Sequence, residues 1–185
     1  MLLSQLGGSG LSSLSQSLGS DPEATKTAAS AALPLLFSAL AKNAATGDGA
    51  TALGQALDRD HDGSVLDGVA NAFGQGSSAD GDGILKHVLG SQRGGAEAGI
   101  AKLSGLDSGQ SSKMLATLAP LVMGALGKAK RSQGLDAAGL AGLLSGEQRQ
   151  ASSQLSGLAR MLDKDGDGSV ADDLLGGLGK LFGGR

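Results

Sequence analysis

Cysteine, tryptophan and tyrosine are missing from the 185 residues, and histidine occurs twice. Each shortage excludes something. Without cysteine there is no disulfide framework and no thiolate metal site, although that absence fits any cellular compartment. Two histidines leave almost nothing for a His-rich metal site or a Ser-His-Asp constellation. Aromatic residues make up 2% and the formal net charge is −3, so there is neither a stacking platform nor a basic stripe for nucleic acid. Long apolar runs are lacking too. The two most apolar stretches, Ala28–Ala41 and Met114–Gly127, are 14 residues each and each holds a proline. Crossing a bilayer takes about 18 apolar residues, so no membrane span is expected and both stretches read as buried helices. The long helices also lack the basic polar face of a membrane-surface helix. The start, MLLSQLGGSGL, has no cationic segment before a sustained apolar one. No signal peptide is expected, and the expected location is the cytoplasm.

What the chain does have is 40% hydrophobic residues and 33 glycines, against a usual glycine share of about 7%. Sustained β-branched alternation is missing, so no sheet is expected. The fold class expected is all-α, an Ala/Leu/Gly-rich multihelical bundle.

The sequence repeats itself. Asp21 and Asp107, Pro34 and Pro120, and Lys42 and Lys128 are each 86 positions apart. LLSQLGG (Leu2 to Gly8) resembles ILKHVLG (Ile84 to Gly90), and DRDHDGSVLDGV (Asp58 to Val69) matches DKDGDGSVADDL (Asp163 to Leu174). Two duplicated copies follow, residues 1–79 and 80–185, packed about a pseudo-two-fold so that each buries the other's apolar face. Each copy reads as helix, long helix, short helix, Asp-rich loop, helix. The long helices start at Asp21, with Pro22 and Glu23 behind it, and at Asp107. Leu33, Leu36, Phe37 and Leu40 form one apolar row; Leu115, Leu118, Val122 and Leu126 form another. Pro34 and Pro120 fall inside these helices and are expected to kink them, a break being the alternative. The tracts GGSG, TGDGA, GQGSSADGDG and SQRGGAEAG read as turns and loops, with Asp82 capping a helix from about Ile84. Asp80-Gly81-Asp82-Gly83, which lacks a third acid, reads as a flexible turn.

The sharpest chemical signal is DxDxDGS, present twice, within loops 58–67 and 163–173. Asp58, Asp60 and Asp62, and again Asp163, Asp165 and Asp167, put acids at alternate positions, which a tight loop turns toward one centre. Three carboxylates there repel unless a hard cation neutralises them. The Gly and then Ser64 or Ser169, offering a backbone carbonyl, complete the front half of an EF-hand loop. Oxygen ligands without His or Cys select Ca²⁺ over Zn²⁺. An EF-hand has a bidentate Glu at position twelve, but Val69 and Leu174 stand there. Asp67 and Asp172 at position ten are expected to close a shortened loop, with Asp173 in reserve. Affinity is then expected on the order of 10⁻⁵–10⁻³ M. The plain alternative is that these acids only cap helices.

The remaining polar residues read as structural. His61 alternates away from the loop centre, and His87 is expected to be a partly buried helix residue. Lys128, Lys130 and Arg131 suit a helix C-terminus. Met114, Met123 and Met161 read as core filler. With no nucleophile–base pair and no nucleotide fingerprint, the protein is not expected to be an enzyme. The expected function is a calcium-binding helical module, its partners being the calcium ion and a further protein or a second copy of the chain. The alternative is a cation-independent self-assembly or partner-binding module.

The segments ALPLLFSALAKNA, ALDRDHDGSVLDGV, GDGILKHVLG and LDSGQSSKMLATLAPLVMGALGKAKRSQGLDAAGLAGLL together resemble the YidB-like family of bacterial proteins of unknown function. The resemblance implies an all-α, multihelical, intracellular bacterial protein. It implies no activity and no catalytic residue.

Overall fold

Asp21 and Asp107 do what their positions suggest. The Asp21 carboxylate accepts from the backbone N–H of Glu23 and Ala24, at 2.9 and 3.3 Å. Asp107 accepts from Gln110 N–H at 2.7 Å, while the Gln110 side chain returns a bond to Asp107 N–H at 3.0 Å, closing a capping box. In a computed structural model of the chain, residues 2–60, 78–147 and 149 are described. They form α1 (Leu2–Leu18), α2 (Pro22–Ala44), α3 (Gly47–Arg59), α4 (Ser78–Val88), a 3₁₀ turn (Gly90–Gln92), α5 (Arg93–Ser104), α6 (Ser108–Gln133) and α7 (137–147). No strand occurs among the described residues.

The long helices α2 and α6 lie at the centre and touch each other. Along α2, Ala28, Ala29, Ala31, Ala32, Leu33, Leu36 and Leu40 are buried; along α6, Met114, Leu115, Leu118, Leu121, Val122, Met123 and Leu126 are. Burial runs round the helix rather than along one stripe, as befits helices enclosed by others. The small alanines let neighbours approach on every side. By length and apolarity α2 would suffice to cross a bilayer, yet 56% of its most apolar window is buried inside the fold. Around this pair the packing is reciprocal. The helix α1 contacts α2 and α6, and α5 contacts α6 and α2. Leu14 of α1 and Ile100 of α5, 86 positions apart, are both fully buried. So are Thr25 and Ser111, one turn into α2 and α6 and also 86 apart. Ahead of each Asp cap stands a left-handed glycine, Gly19 (φ 62°) and Gly105 (φ 77°), again at the same spacing. Such φ values cost a side chain dearly and glycine little.

Both long helices continue through Pro34 and Pro120, which excludes the break that stood as the alternative to a kink. Several other expectations are corrected. GGSG lies within α1, TGDGA supplies the Thr46 cap and first turn of α3, and RGGAEAG lies in α5. SADGDG opens α4, which starts at Ser78, so Asp82 sits inside that helix and caps nothing, and Asp80–Gly83 is helix rather than turn. Glycine costs a helix about 1 kcal/mol. Tertiary contact repays this where the glycine allows close approach, as Gly81 does under α6. Nothing in the structure explains glycine at 94, 95 and 99, where the space around the missing side chain is open.

Candidate functional site: the end of helix α3

The helix α3 is capped by Thr46, whose hydroxyl accepts from Gly49 N–H at 3.1 Å, and runs from Gly47 to Arg59, with Asp60 as its C-cap. This places the first two acids of the first DxDxDGS segment at the C-terminal end of a helix. Leu57, beside them, is buried and anchors this end to the core. A helix C-terminus carries a partial negative charge from its unpaired carbonyls, and the two carboxylates add to it.

Two cations answer that field. The Lys130 ammonium, from the last turn of α6, lies 2.5 and 2.6 Å from the two carboxylate oxygens of Asp58. Its side chain is 15% exposed, that of Asp58 58%. Its stem runs past Gly54, where an added Cβ would come within 3.8 Å of the Lys130 Cε. The Arg59 guanidinium donates to Asp60 from Nε at 2.9 Å. Hydrogen bonding to Asp60, and then its charge, raise the Arg59 pKa above its ordinary value. The pair is exposed and contributes little to stability.

Asp58 and Asp60 are thus adjacent at one helix end. Asp62, Ser64, Asp67, Asp163, Asp165, Asp167, Ser169, Asp172 and Asp173, with His61 and Met161, lie outside the described residues. Among the described residues no three metal-ligating side chains come together. Lys130 and Arg131 do occupy the last turn of α6, as their sequence position suggests, and Met114 and Met123 are core residues. His87 is exposed rather than partly buried, with Nδ1 3.0 Å from the carbonyl of Gly83.

A groove of about 750 Å³ opens beside the site and is not legible in the sequence. Leu40, Leu53, Ala56, Ile84, Val88 and Met123 give it apolar walls, and Asn43, Arg59, Asp60, Asp80 and His87 supply polar groups. Asn43 fixes one end by donating from Nδ2 to the carbonyl of Val88 at 2.9 Å, which ties α2 to α4. The groove and the Asp58–Lys130 pair both depend on contacts between distant segments. The basic run at Lys128–Arg131 hinted at a cation near a helix end, but not at its partner.

Residues 1–129 match a family described as bacterial protein of unknown function, DUF937. The match takes in α1 to α5 and most of α6, and is consistent with the YidB-like resemblance. No curated protein and no solved structure matches the chain.

Proposed function

We propose that this chain, which belongs to the bacterial family of unknown function DUF937, is a non-enzymatic calcium-binding helical module built from two duplicated copies. Each copy carries one shortened EF-hand-like loop, and the copies are related by a pseudo-two-fold. The observation that carries the cation reading is the end of α3. It delivers Asp58 in its last turn and Asp60 immediately after it, at the negative pole of the helix, with Lys130 and Arg59 already drawn in as counter-ions. A divalent ion at such a place meets the need that the two monovalent cations meet. The same DxDxDGS pattern at Asp163 to Ser169 adds weight, since a chance acidic turn has no reason to recur in the same order. The duplication is supported by the equal spacing of Gly19 and Gly105, Asp21 and Asp107, and Thr25 and Ser111, and by the reciprocal packing of α1 and α5. In this reading calcium ties each loop to its following helix. A ligand bound only by the folded form stabilises it by about 2.7 kcal/mol at a hundredfold excess over Kd.

The test is calorimetric titration and thermal melting with calcium, on the wild type and on the double variant Asp62→Ala/Asp167→Ala. These central acids avoid the Lys130 contact of Asp58. The wild type is expected to bind and to melt higher, the variant to do neither. No heat and no melting shift at millimolar calcium, or an unchanged response in the double variant, overturns the reading.

A second reading, a cation-independent partner-binding module, is favoured by the apolar groove between α3 and α4. Light scattering with and without chelator separates the two. Assembly indifferent to chelator, together with silent calcium titrations, favours the second.

A further inference from the structure

We infer that the groove between α3 and α4 is a binding site for a long-chain aliphatic diamine, a methylene chain carrying an ammonium at each end. The inference is independent of the calcium reading and puts a small molecule where the second reading puts a protein. The groove measures about 750 Å³, within the range of small-molecule sites. Its polar groups have acceptors to offer. Asn43 directs both hydrogens of Nδ2 elsewhere, to the carbonyls of Ala39 and Val88, each at 2.9 Å, so its Oδ1 is what remains. His87 Nδ1 lies 3.0 Å from the Gly83 carbonyl, which can only accept. Nδ1 therefore carries the hydrogen, and in the neutral ring Nε2 is an acceptor. The charge of Arg59 is matched by Asp60 at 2.9 Å. The charge left unmatched is that of Asp80, exposed in the first turn of α4 and without a hydrogen bond or ion pair among the described residues. Asp80 and His87 lie two turns apart on one face of α4, about 10 Å along the helix. Asn43, bonded to Val88, stands at the His87 end. Between the two ends Leu40, Leu53, Ile84 and Met123 present hydrocarbon. A negative group at one end, two acceptors at the other and apolar walls between them complement a methylene chain with cationic N–H donors at both ends. A carboxylate ligand would be repelled by Asp80, and a plain hydrocarbon would cover the acceptors without pairing them.

The experiment titrates four compounds into the isotope-labelled full-length chain and follows its backbone amide NMR shifts: the eight-carbon α,ω-diamine, the four-carbon diamine, octylamine and octanoate. The eight-carbon diamine is expected to shift the amides of Leu53, Ala56, Ile84 and Val88. It should bind roughly tenfold tighter than the four-carbon diamine, which is too short to reach both ends and buries fewer methylenes. Octylamine, with one nitrogen, should fall between them, and octanoate should not bind. Asp80→Asn is expected to weaken diamine binding roughly three- to fivefold. A first-turn acid also suits the helix dipole whatever it faces, so this variant is read by affinity and not by melting. Ala56→Leu fills the groove and is expected to abolish binding, with circular dichroism checking that both variants fold. Octanoate binding as tightly as the eight-carbon diamine, an affinity indifferent to Asp80→Asn or to Ala56→Leu, or shifts that map away from the groove overturns the inference. So does the absence of a saturable shift from all four compounds, which leaves the groove to a protein partner.

Discussion

Gly81 of α4 lies directly against the carbonyl of Ala116 in α6, so close that a β-carbon on Gly81 would stand 1.8 Å from that oxygen. Ala116 is four residues before Pro120, and proline has no N–H to return to it. The carbonyl that loses its helical partner is therefore the one on which the neighbouring helix settles. Two sequence features that each look like a defect, a glycine within a helix and a proline within another, meet at one contact. Of the described helices, α4 makes its most extensive packing here, against α6.

A methyl group at position 81 has no room, because the obstacle is backbone rather than a flexible side chain. Gly81→Ala is expected to destabilise the fold by about 2–3 kcal/mol, despite the better helix propensity of alanine. Gly99→Ala, in the open space on α5, is expected to stabilise by about 0.5–1 kcal/mol. Urea unfolding of both variants against the wild type checks the pair. Equal effects of the same sign would show that the close approach to Ala116 is not what selects glycine at 81.

Thr25 and Ser111, 86 positions apart, are both fully buried but have opposite hydrogen-bond fates. The Thr25 hydroxyl donates to the carbonyl of Asp21 at 2.8 Å and lies 2.7 Å from the Ser20 hydroxyl, whereas the Ser111 hydroxyl has no hydrogen-bond partner among the described residues. Burying an unpaired hydroxyl costs free energy that its removal returns. Ser111→Ala is expected to be neutral or to stabilise by up to about 1 kcal/mol, and Thr25→Ala to destabilise by about 1–2 kcal/mol. Thermal melting of the two variants tests the contrast. A loss at Ser111 as large as that at Thr25 would contradict it.

Arg93 joins three helices. It donates to Glu97 of α5 at 2.7 Å, to Asp82 of α4 at 2.6 Å and to the Ser112 hydroxyl of α6 at 3.0 Å. The bonds to Glu97 and then Asp82 raise its pKa further above the ordinary guanidinium value. The sign follows. A cation whose folded pKa is raised contributes stability in full below its unfolded pKa, and that stability is lost only as pH climbs through the higher folded value. That window lies above the range in which proteins are handled, so Arg93 does not titrate between pH 6.5 and 9.5. Arg93→Met is expected to cost about 1 kcal/mol, a modest figure because Asp82 is half exposed. The cost should be the same at both ends of that range in denaturant unfolding. A cost that fades toward pH 9.5 would mean that another group carries it.

The sequence by itself determined the parts of this protein that depend on near neighbours. Asp21 and Asp107 cap the helices they precede because a cap acts over three residues, and no distant contact is needed to place it. The all-helical class, the burial of Leu33, Leu36 and Leu40 and of Leu115, Leu118 and Leu126, and the family membership follow from pattern and are legible in the same way. Tertiary structure decided the rest. The glycine-rich tracts became helix, and at Gly81 the close approach of Ala116 supplies the stabilisation that glycine withholds. Both prolines remained within continuous helices. Asp58 found Lys130 across 72 positions, and the groove of Leu53, Ile84 and Met123 formed between segments with no local signal for one another. A cap is a short-range bond written in adjacent residues. A counter-ion or a groove exists only once the chain has folded back on itself.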